Sequence, residues 1–470
     1  DGQVIALMLR NSLAFIDAIQ ACQTAGCYYC PINWHFKAAE VGYILKDSAA
    51  RVLLVEADLL DDVRAVIPAG VTVLVVRAGA AFIRDDSHEP GALLDYAHWL
   101  AEQTPYRGEP RTPRAHMAYT SGTTGRPKGV KRLPPGPGDQ ARMQQAMLEL
   151  VASAWGIRPG VRALVSAPLY HSAPSSFAQQ ALQQAEVLVL MERFDAEQTL
   201  ALIEQQRIDT VFLVPIMYVR LLRLAPEVRA RYDLSSVRFV ACTGAPCAPE
   251  VKRDMLDWWG PVIYETYASS ETGMITVQDP VSARRKPGSV GLPIGGTQIR
   301  IIDQQGNDCP TGEPGVIYVR QPAVTDFTYL NNPEARAKAG LGELVSVGDI
   351  GYLDQEGYLY LCDRASDMVI SGGVNIYPAE IEHQLITLPG VADCAVFGVP
   401  DAEYGESLVA VVATADPGLS EAVVKDFIRQ RLASFKTPRQ VYLVASLPRD
   451  DNGKVAKRQL KEAYSAAPPG

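Results

Sequence analysis

The chain has 470 residues, 47% of them hydrophobic, and a formal net charge of −9. This length exceeds one ordinary core, so two or more domains are expected. The acidic balance argues against a nucleic-acid-binding face, and no apolar run approaches the ~20 residues of a membrane helix. An apolar run begins as early as Val4, and Asp1 is not a methionine, which predicts that further residues precede this sequence.

The eight cysteines are most simply explained as free thiols in apolar surroundings. Cys27 and Cys30 form a Cys-x-x-Cys, which redox or metal sites also use, but no second pair has zinc spacing. Core or loop thiols in a reducing cytosol are therefore favoured, and a cytoplasmic location is expected.

Apolar runs alternate with helix-period segments up to about residue 270. This alternation predicts βαβ units and mostly parallel sheets covered on both faces. The clearest helix pattern spans 139–155, with Asp139 as its N-cap and an apolar face of Met143, Met147, Leu150 and Ala154. The predicted strands are Val4–Leu9, Arg51–Glu56, Val71–Arg77, Ala163–Ala167, Val187–Met191, Thr210–Val214, Arg238–Cys242 and Val262–Tyr267.

The predicted secondary-structure pattern changes twice after about residue 270. Short β runs between turn signals from about residue 286 predict a compact β-barrel-like unit at about 286–363. Beyond it, Pro378 opens a helix, and mixed strand and helix patterns follow. The sequence thus predicts an α/β protein, with a large N-terminal domain (1–365) of mostly parallel βαβ sheets that includes the β unit. A small, mobile α+β domain (366–470) follows.

The most informative segment is 119–130, which reads Tyr-Thr-Ser-Gly-Thr-Thr-Gly-Arg-Pro-Lys-Gly-Val. Small residues let the backbone approach a phosphate, and a lysine adds a point charge for its oxygens. Composition alone leaves a polar surface loop equally open. The candidate phosphate-binding residues are Thr120, Ser121, Gly122, Thr123, Thr124, Gly125 and Lys128.

A second stretch, 264–273, reads Tyr-Glu-Thr-Tyr-Ala-Ser-Ser-Glu-Thr-Gly and follows an apolar run. Open α/β sheets bind ligands where strands end in this way. Its aromatic ring can stack on a base, its hydroxyls can bond a phosphate, and its carboxylate can hold Mg²⁺. Taken by itself, the stretch is more typical of a polar strand-to-loop transition.

The order and spacing of these segments resemble the adenylate-forming (AMP-binding) superfamily, in its acyl-CoA synthetase and fatty-acid–CoA ligase branch. The resemblance implies that Tyr267 stacks on adenine, that Ser270 contacts the α-phosphate and that Glu271 binds Mg²⁺. Ala268 and Ser269 complete the nucleotide-binding segment. Ala268 replaces a glycine of the family and Ser270 a threonine.

Further segments extend the resemblance over nearly the whole chain. Residues 244–246, Gly244, Ala245 and Pro246, are expected to line the nucleotide and acyl pockets, although they also fit a tight turn. His171 is implied to lie near the carboxylate being activated, although a lone histidine is more often structural. Asp349 is expected to accept the ribose hydroxyls, and Arg364 to contact ribose or phosphate.

The C-terminal part supplies the remaining matches. Ser366 falls at the family's hinge position, where aspartate or lysine is usual, and Gly372 and Gly373 are implied to admit the pantetheine arm of coenzyme A. Lys454 is implied to stabilise charge on the carboxylate and α-phosphate. The expected catalytic residues are Lys454, Glu271, Thr120 and His171.

The resemblance implies an ATP- and Mg²⁺-dependent ligase that forms an acyl-adenylate and transfers the acyl group to coenzyme A. Small residues after His171 favour a medium- or long-chain fatty, aryl or polycyclic acid. Three alternatives stay open: an adenylation domain that loads a carrier protein, a luciferase-like oxygenase and a non-catalytic nucleotide sensor. A homodimer is also among the expected assemblies.

Overall fold

The fold is taken from a computed structural model. It describes residues 2–77, 93–109, 111–120, 127–136, 138–401, 403–449 and 455–465.

The N-terminal residues form a parallel sheet flanked by helices. Its strands are β1 (Val4–Met8), β2 (Tyr28–Pro31), β3 (Val52–Glu56), β4 (Thr72–Val76) and β5 (Leu93–Asp95), and its helices are α1 (Leu13–Ala25), α2 (Ala38–Asp47), α3 (Ala57–Val63) and α4 (Tyr96–Glu102), with a 3-10 helix at Arg64–Val66. The strand order is β2-β1-β3-β4-β5, and every pairing is parallel.

Local sequence sets the ends of these elements. The Ser12 side chain accepts from the Phe15 amide to start α1, and Gly26 ends it in the left-handed region. The strands are buried on both faces, as the near-continuous apolar runs require.

A second sheet holds the centre of the protein. After the antiparallel pair β6 (Ala118–Thr120) and β7 (Lys128–Arg132), the chain forms α5 (Gln140–Trp155), β8 (Val161–Val165), α6 (Ser172–Gln184), β9 (Ala185–Leu190), α7 (Ala196–Gln205), β10 (Thr210–Leu213), α8 (Pro215–Leu222), α9 (Pro226–Arg229), β11 (Phe239–Cys242), α10 (Pro249–Trp259), β12 (Ile263–Ser269), β13 (Gly273–Gln278), α11 (Pro280–Arg285) and β14 (Leu292–Pro293). The order is β14-β13-β12-β11-β10-β8-β9, with parallel pairing from β12 to β9 and antiparallel pairing at β13 and β14.

The β-rich region that follows is mainly one antiparallel sheet. Its elements are β15 (Gln298–Ile302), β16 (Gly315–Arg320), β17 (Phe327–Tyr329), α12 (Pro333–Ala339), β18 (Gly340–Leu341), β19 (Leu344–Leu353) and β20 (Leu359–Arg364). β17 departs from this sheet and pairs with β7, which brings it beside the phosphate-loop segment. No local sequence pattern predicts this pairing.

The C-terminal residues form a mixed sheet with helices. Its elements are β21 (Val369–Ser371), β22 (Val374–Ile376), α13 (Pro378–Leu385), β23 (Asp393–Asp401), β24 (Gly405–Ala413), α14 (Glu421–Arg429), β25 (Gln440–Val444) and α15 (Lys457–Ser465), with a 3-10 helix at Ser434–Lys436. Valines and alanines of β23 and β24 pack against α13 and α14 in a core of their own.

The predicted α/β architecture is confirmed, and the predicted strands lie within a few residues of those observed. The 139–155 helix is present, with Leu150 and Ala154 buried. Asp139 stands at its N-cap position, but its side chain bonds Arg142 and makes no capping bond, because its backbone is already helical. The predicted cap is wrong in that respect.

The main core contains residues of both parallel sheets together with residues of α1 and α6. Trp155, Phe177 and Phe212 form an aromatic group within it, with ring centroids 5.2 to 6.4 Å apart. Among the described residues, no helix is both long and apolar enough to cross a membrane.

The packing between β13 and β14 can be tested at Gly291, which lies between these strands in the chain. Gly291 has φ +94°, and a Cβ there would collide with the Val277 carbonyl, whereas Gly306, at φ +89°, has open space. Gly306→Ala should lower the free energy of unfolding by about 1–2 kcal/mol, because an alanine is strained in this backbone conformation. Gly291→Ala should lose a further ~1–3 kcal/mol to overpacking, measured by urea unfolding. Equal losses in the two variants would show that the Val277 strand yields freely.

Candidate active site

One cavity of about 2520 Å³ gathers most of the residues singled out from the sequence. It lies outside the carboxyl ends of β8, β10, β11 and β12, where open α/β sheets bind ligands. The predicted site residues that line it are Thr120, Lys128, His171, Gly244, Ala245, Pro246, Tyr267, Ala268, Ser269, Ser270, Glu271, Asp349, Arg364 and Ser366.

Two groups of predicted residues fall outside the described part of the chain: Ser121, Gly122, Thr123, Thr124 and Gly125 of the phosphate loop, and Lys454. The flanks of the loop are described, and Thr120 on β6 is paired with Lys128 on β7. Val455, Ala456 and Lys457, the residues after Lys454, line the cavity.

Tyr267, Asp349 and Arg364 meet at one side of the cavity. The Tyr267 hydroxyl donates to Asp349 Oδ2 at 2.5 Å, and Arg364 Nε lies 3.5 Å from Asp349 Oδ1. Burial and the Asp349 carboxylate raise the pKa of Tyr267 well above its usual range, so the phenol remains a donor. The candidate base-stacking ring and the candidate ribose ligand are thus fixed to each other.

Glu271 and Ser270 directly follow β12 and line the same cavity. The Tyr329 hydroxyl, on β17, donates to Glu271 Oε1 at 3.1 Å, and the hydroxyls of Ser270 and Ser172 are 2.9 Å apart. Lys128 Nζ lies 5.2 Å from the centre of the Tyr329 ring. A carboxylate, a hydroxyl and an ammonium group therefore line the same cavity, a set that suits a polyphosphate bound with Mg²⁺.

Arg132, which the sequence analysis did not identify, holds this loop in place. Its Nη2 donates to the Ser270 carbonyl and its Nη1 to the Thr325 carbonyl, both at 2.8 Å. Burial lowers the pKa of Arg132 to about 10, while Glu271 and Asp326 oppose that shift, so the guanidinium is still charged at neutral pH. Its position directly after the loop motif was the available signal.

The remaining N-terminal candidates sit at element ends. Gly244 has φ +96° and begins the turn between β11 and α10, so residues 244–246 form the tight turn expected and also line the cavity. His171 occupies the N-cap position of α6, and its ring centroid is 4.4 Å from that of Tyr170.

Gly372 and Gly373 lie apart from this cavity. They form the turn between β21 and β22, at φ +57° and +80°, and the Gly372 amide donates to the Tyr404 carbonyl within the C-terminal sheet. In this orientation of the C-terminal domain they are absent from the cavity wall that the described residues form. Their role toward coenzyme A stays a prediction.

A second cation missed by the sequence analysis is Lys457. Its Nζ lies 2.9 Å from Glu382 Oε1, on α13. Burial disfavours its charge, but the carboxylates of Glu382, Asp363 and Asp367 together raise its pKa. Lys457 thus ties the segment that follows Lys454 to α13 and to the end of β20. The position of Lys457, three residues after Lys454, matches no sequence pattern that would have indicated this role.

The fold and the site define a nucleotide-binding enzyme with a two-part chain. Residues 1–327 match the family described as AMP-binding enzyme, and residues 380–454 match the AMP-binding enzyme C-terminal domain. The chain belongs to this family of AMP-binding enzymes. The sequence-based assignment to the adenylate-forming enzymes, in their acyl-CoA synthetase branch, is confirmed.

Several curated relatives extend over nearly the whole chain. A feruloyl-CoA synthase of Amycolatopsis sp is 33% identical over 469 residues, covering 98% of this chain and 89% of the relative. The long-chain-fatty-acid–CoA ligase FadD13 of Mycobacterium tuberculosis is 32% identical over 482 residues, covering 100% and 89%.

Solved structures agree with the fold. The amide bond synthetase McbA from Marinactinospora thermotolerans superposes with a TM-score of 0.81 at 28% identity, covering 98% of this chain and 90% of McbA. The o-succinylbenzoate CoA synthetase from Bacillus subtilis, in complex with its acyl-adenylate intermediate, gives a TM-score of 0.80 at 26% identity, covering 98% and 88%.

Glu271 offers a direct test of the predicted metal site. Glu271→Gln keeps an acceptor for the Tyr329 hydroxyl but removes the charge. Losing a partner of a metal ligand alone costs about 10- to 100-fold in metal affinity, so at least this loss is expected. The measurement is the Mg²⁺ dependence of nucleotide binding by calorimetry. Tyr329→Phe, which keeps the carboxylate, should have the smaller effect; the reverse order would contradict the assignment.

Proposed function

We propose that this enzyme activates a carboxylic acid as its acyl-adenylate and transfers the acyl group to coenzyme A. The acid is a medium- or long-chain fatty, aryl or polycyclic acid, as the small residues that begin α6 favour. The observation that carries the proposal is the convergence of Lys128, Glu271 and the Tyr267–Asp349 pair on one cavity, which Val455 and Ala456 also border.

In the first half-reaction, a carboxylate oxygen attacks the α-phosphorus of ATP and pyrophosphate leaves. Little covalent chemistry falls to the protein, which positions the reactants and stabilises charge. Tyr267 and Asp349 are assigned to the nucleoside, and Thr120, Ser270 and Lys128 to the phosphates. Lys454 is assigned to the charge that develops between the carboxylate and the α-phosphate.

The residues present fit a magnesium ion. Mg²⁺ is typically held by one or two carboxylates together with substrate phosphates, and the buried Glu271 supplies one such carboxylate beside Lys128 and Ser270. When bound, the ion neutralises phosphate charge. The Tyr329 hydroxyl bonds the carboxylate of Glu271, and Arg132 holds the backbone of the preceding residue, Ser270.

In the second half-reaction, the thiol of coenzyme A attacks the acyl carbonyl and AMP leaves. Gly372 and Gly373 are assigned to the pantetheine arm, so the C-terminal domain (366–470) must rotate from its present orientation. Ser366 is the proposed hinge. The present orientation, with Val455 and Ala456 at the cavity, suits the first half-reaction.

The first test is thioester formation over a panel of carboxylic acids with ATP, Mg²⁺ and coenzyme A. AMP release and thioester yield should appear together with at least one acid. Lys454→Ala should slow acid-dependent pyrophosphate exchange about 10²–10³-fold, because a positioned cation is lost. The same variant should still form thioester from a pre-formed acyl-adenylate.

Other outcomes would identify the alternatives. AMP release with no dependence on coenzyme A would favour a carrier-protein acceptor or an oxygenase, and nucleotide binding without exchange would favour a sensor. Equal losses in both half-reactions of Lys454→Ala would make Lys454 a structural residue.

The hinge gives a separate prediction. The Arg364 carbonyl accepts from the amides of Asp367 and Met368 at 2.9 and 3.0 Å, which closes a helical turn around Ser366. Proline at 366 disfavours the helical region for Ala365, so Ser366→Pro should oppose this orientation. Pyrophosphate exchange should fall at least tenfold, with Ser366→Ala unchanged. Unaltered exchange in a folded Ser366→Pro enzyme would place the hinge elsewhere.

A further inference from the structure

The face of α6 that borders the cavity is mostly polar. Its members are Ser172, Ala173, Ser176, Gln179, Gln180 and Gln183, of which only Ala173 lacks a polar side chain. Adjacent positions and positions three or four residues apart place them on one helical face, whereas Phe177, Ala178 and Ala181 of the same helix are fully buried in the core. A wall built for an unsubstituted alkyl chain would carry apolar side chains at these positions.

Because α6 begins near the reacting group, each position on this face lies at its own distance from that group. The Ser172 hydroxyl is 2.9 Å from that of Ser270, so the helix starts at the proposed α-phosphate position. At a rise of about 1.5 Å per residue, Gln180 lies roughly 12 Å and Gln183 roughly 16 Å further along the axis. An acid whose carboxylate meets the α-phosphate can extend along this face.

Other elements supply an apolar wall to the same cavity. Met147 of α5 and Pro215, Ile216 and Val219 of α8 all line it. The cavity therefore offers apolar surface from α5 and α8 and amide groups from α6, which suits a ligand that is apolar over most of its surface and polar at one point.

Among the glutamines, Gln179 and Gln180 have different surroundings. Gln179 Oε1 accepts from the Tyr29 hydroxyl at 3.2 Å, and that hydroxyl also accepts from Ser175 at 3.3 Å. Gln179 is thus part of a fixed network. Gln180 is half-buried, and Gln183 lies at the exposed end of the helix, so Gln180 is the amide best placed to meet the far part of a bound acid.

We infer that the acid carries a hydrogen-bonding substituent, such as a hydroxyl or carbonyl group, roughly 8–12 Å from its carboxylate, and that Gln180 recognises it. The inference rests on the proposed function and narrows its acid. A plain chain lying over Gln180 would strip water from the amide without replacing its hydrogen bonds, and a site built to bond a polar group discriminates strongly against analogues that lack it.

The test compares acids that differ by one hydroxyl: cinnamate with para-hydroxycinnamate, and octanoate with ω-hydroxyoctanoate. The measurement is kcat/KM for acid-dependent pyrophosphate exchange. The wild-type enzyme should prefer the hydroxylated member of at least one pair by about tenfold or more. Equal use of both members, or preference for the plain acid in both pairs, would overturn the inference but leave the proposed function standing.

Variants locate the recognition. Gln180→Leu keeps similar volume and should lower the preference at least tenfold, with the plain acid used as well as before or better. Gln184→Leu, on the same helix but outside the cavity wall, should change neither acid. An equal loss for both acids in a Gln180→Leu enzyme with wild-type thermal unfolding would assign Gln180 to structure. If none of the acids supports pyrophosphate exchange, the proposed function is overturned, and this inference with it.

Discussion

The geometry of the site depends on one partly buried guanidinium. Arg132 donates to the carbonyls of Ser270 and Thr325, and its own carbonyl accepts from the Tyr28 hydroxyl at 2.9 Å, so it joins the first sheet, the strand after the phosphate loop and the loop after β12. Removing it would leave two partly buried carbonyls without these donors, at a cost of up to about 1–3 kcal/mol each. Lysine could not replace it, because two divergent bonds need the planar fork of arginine.

The polar groups assigned to the nucleotide are paired with one another in the same way. Asp349 is bonded by the Tyr267 hydroxyl, Glu271 by the Tyr329 hydroxyl, and Ser270 by Ser172. Each pairing fixes a side chain before a ligand arrives, while a carboxylate that accepts one bond still has further lone pairs to offer. Charge that is oriented in advance costs no reorganisation when the reaction develops new charge. The consequence is local rigidity, which agrees with the proposed assignment of the motion to the turn at Ser366.

Some parts of this structure could be predicted from the sequence more completely than others. Parallel strands such as β10 and β11 were predicted to within about two residues, because burial on both faces leaves a continuous apolar run. The loop residues were assigned to phosphate by motif order, and that assignment stays a prediction. Tyr329 and Lys457 were missed because each acts through a partner distant in sequence, and β17 was missed as a neighbour of β7 for the same reason. Pairwise contacts of this kind leave no local pattern.

The acid is the part of the substrate that motifs describe least, and the structure gives a physical reason. In the proposed function, loops bind the nucleotide, and their order of glycines and hydroxyls is rare outside such a role. A helix face is assigned to the acid, and glutamine is an ordinary helix former whose role depends on which way that face points. Because Gln180 lies roughly 12 Å along α6 from Ser172, which contacts Ser270, changes at Gln180 and changes at Ser270 should combine additively. Under the proposed function, changes on the helix face would therefore alter the choice of acid while the adenylation chemistry is kept.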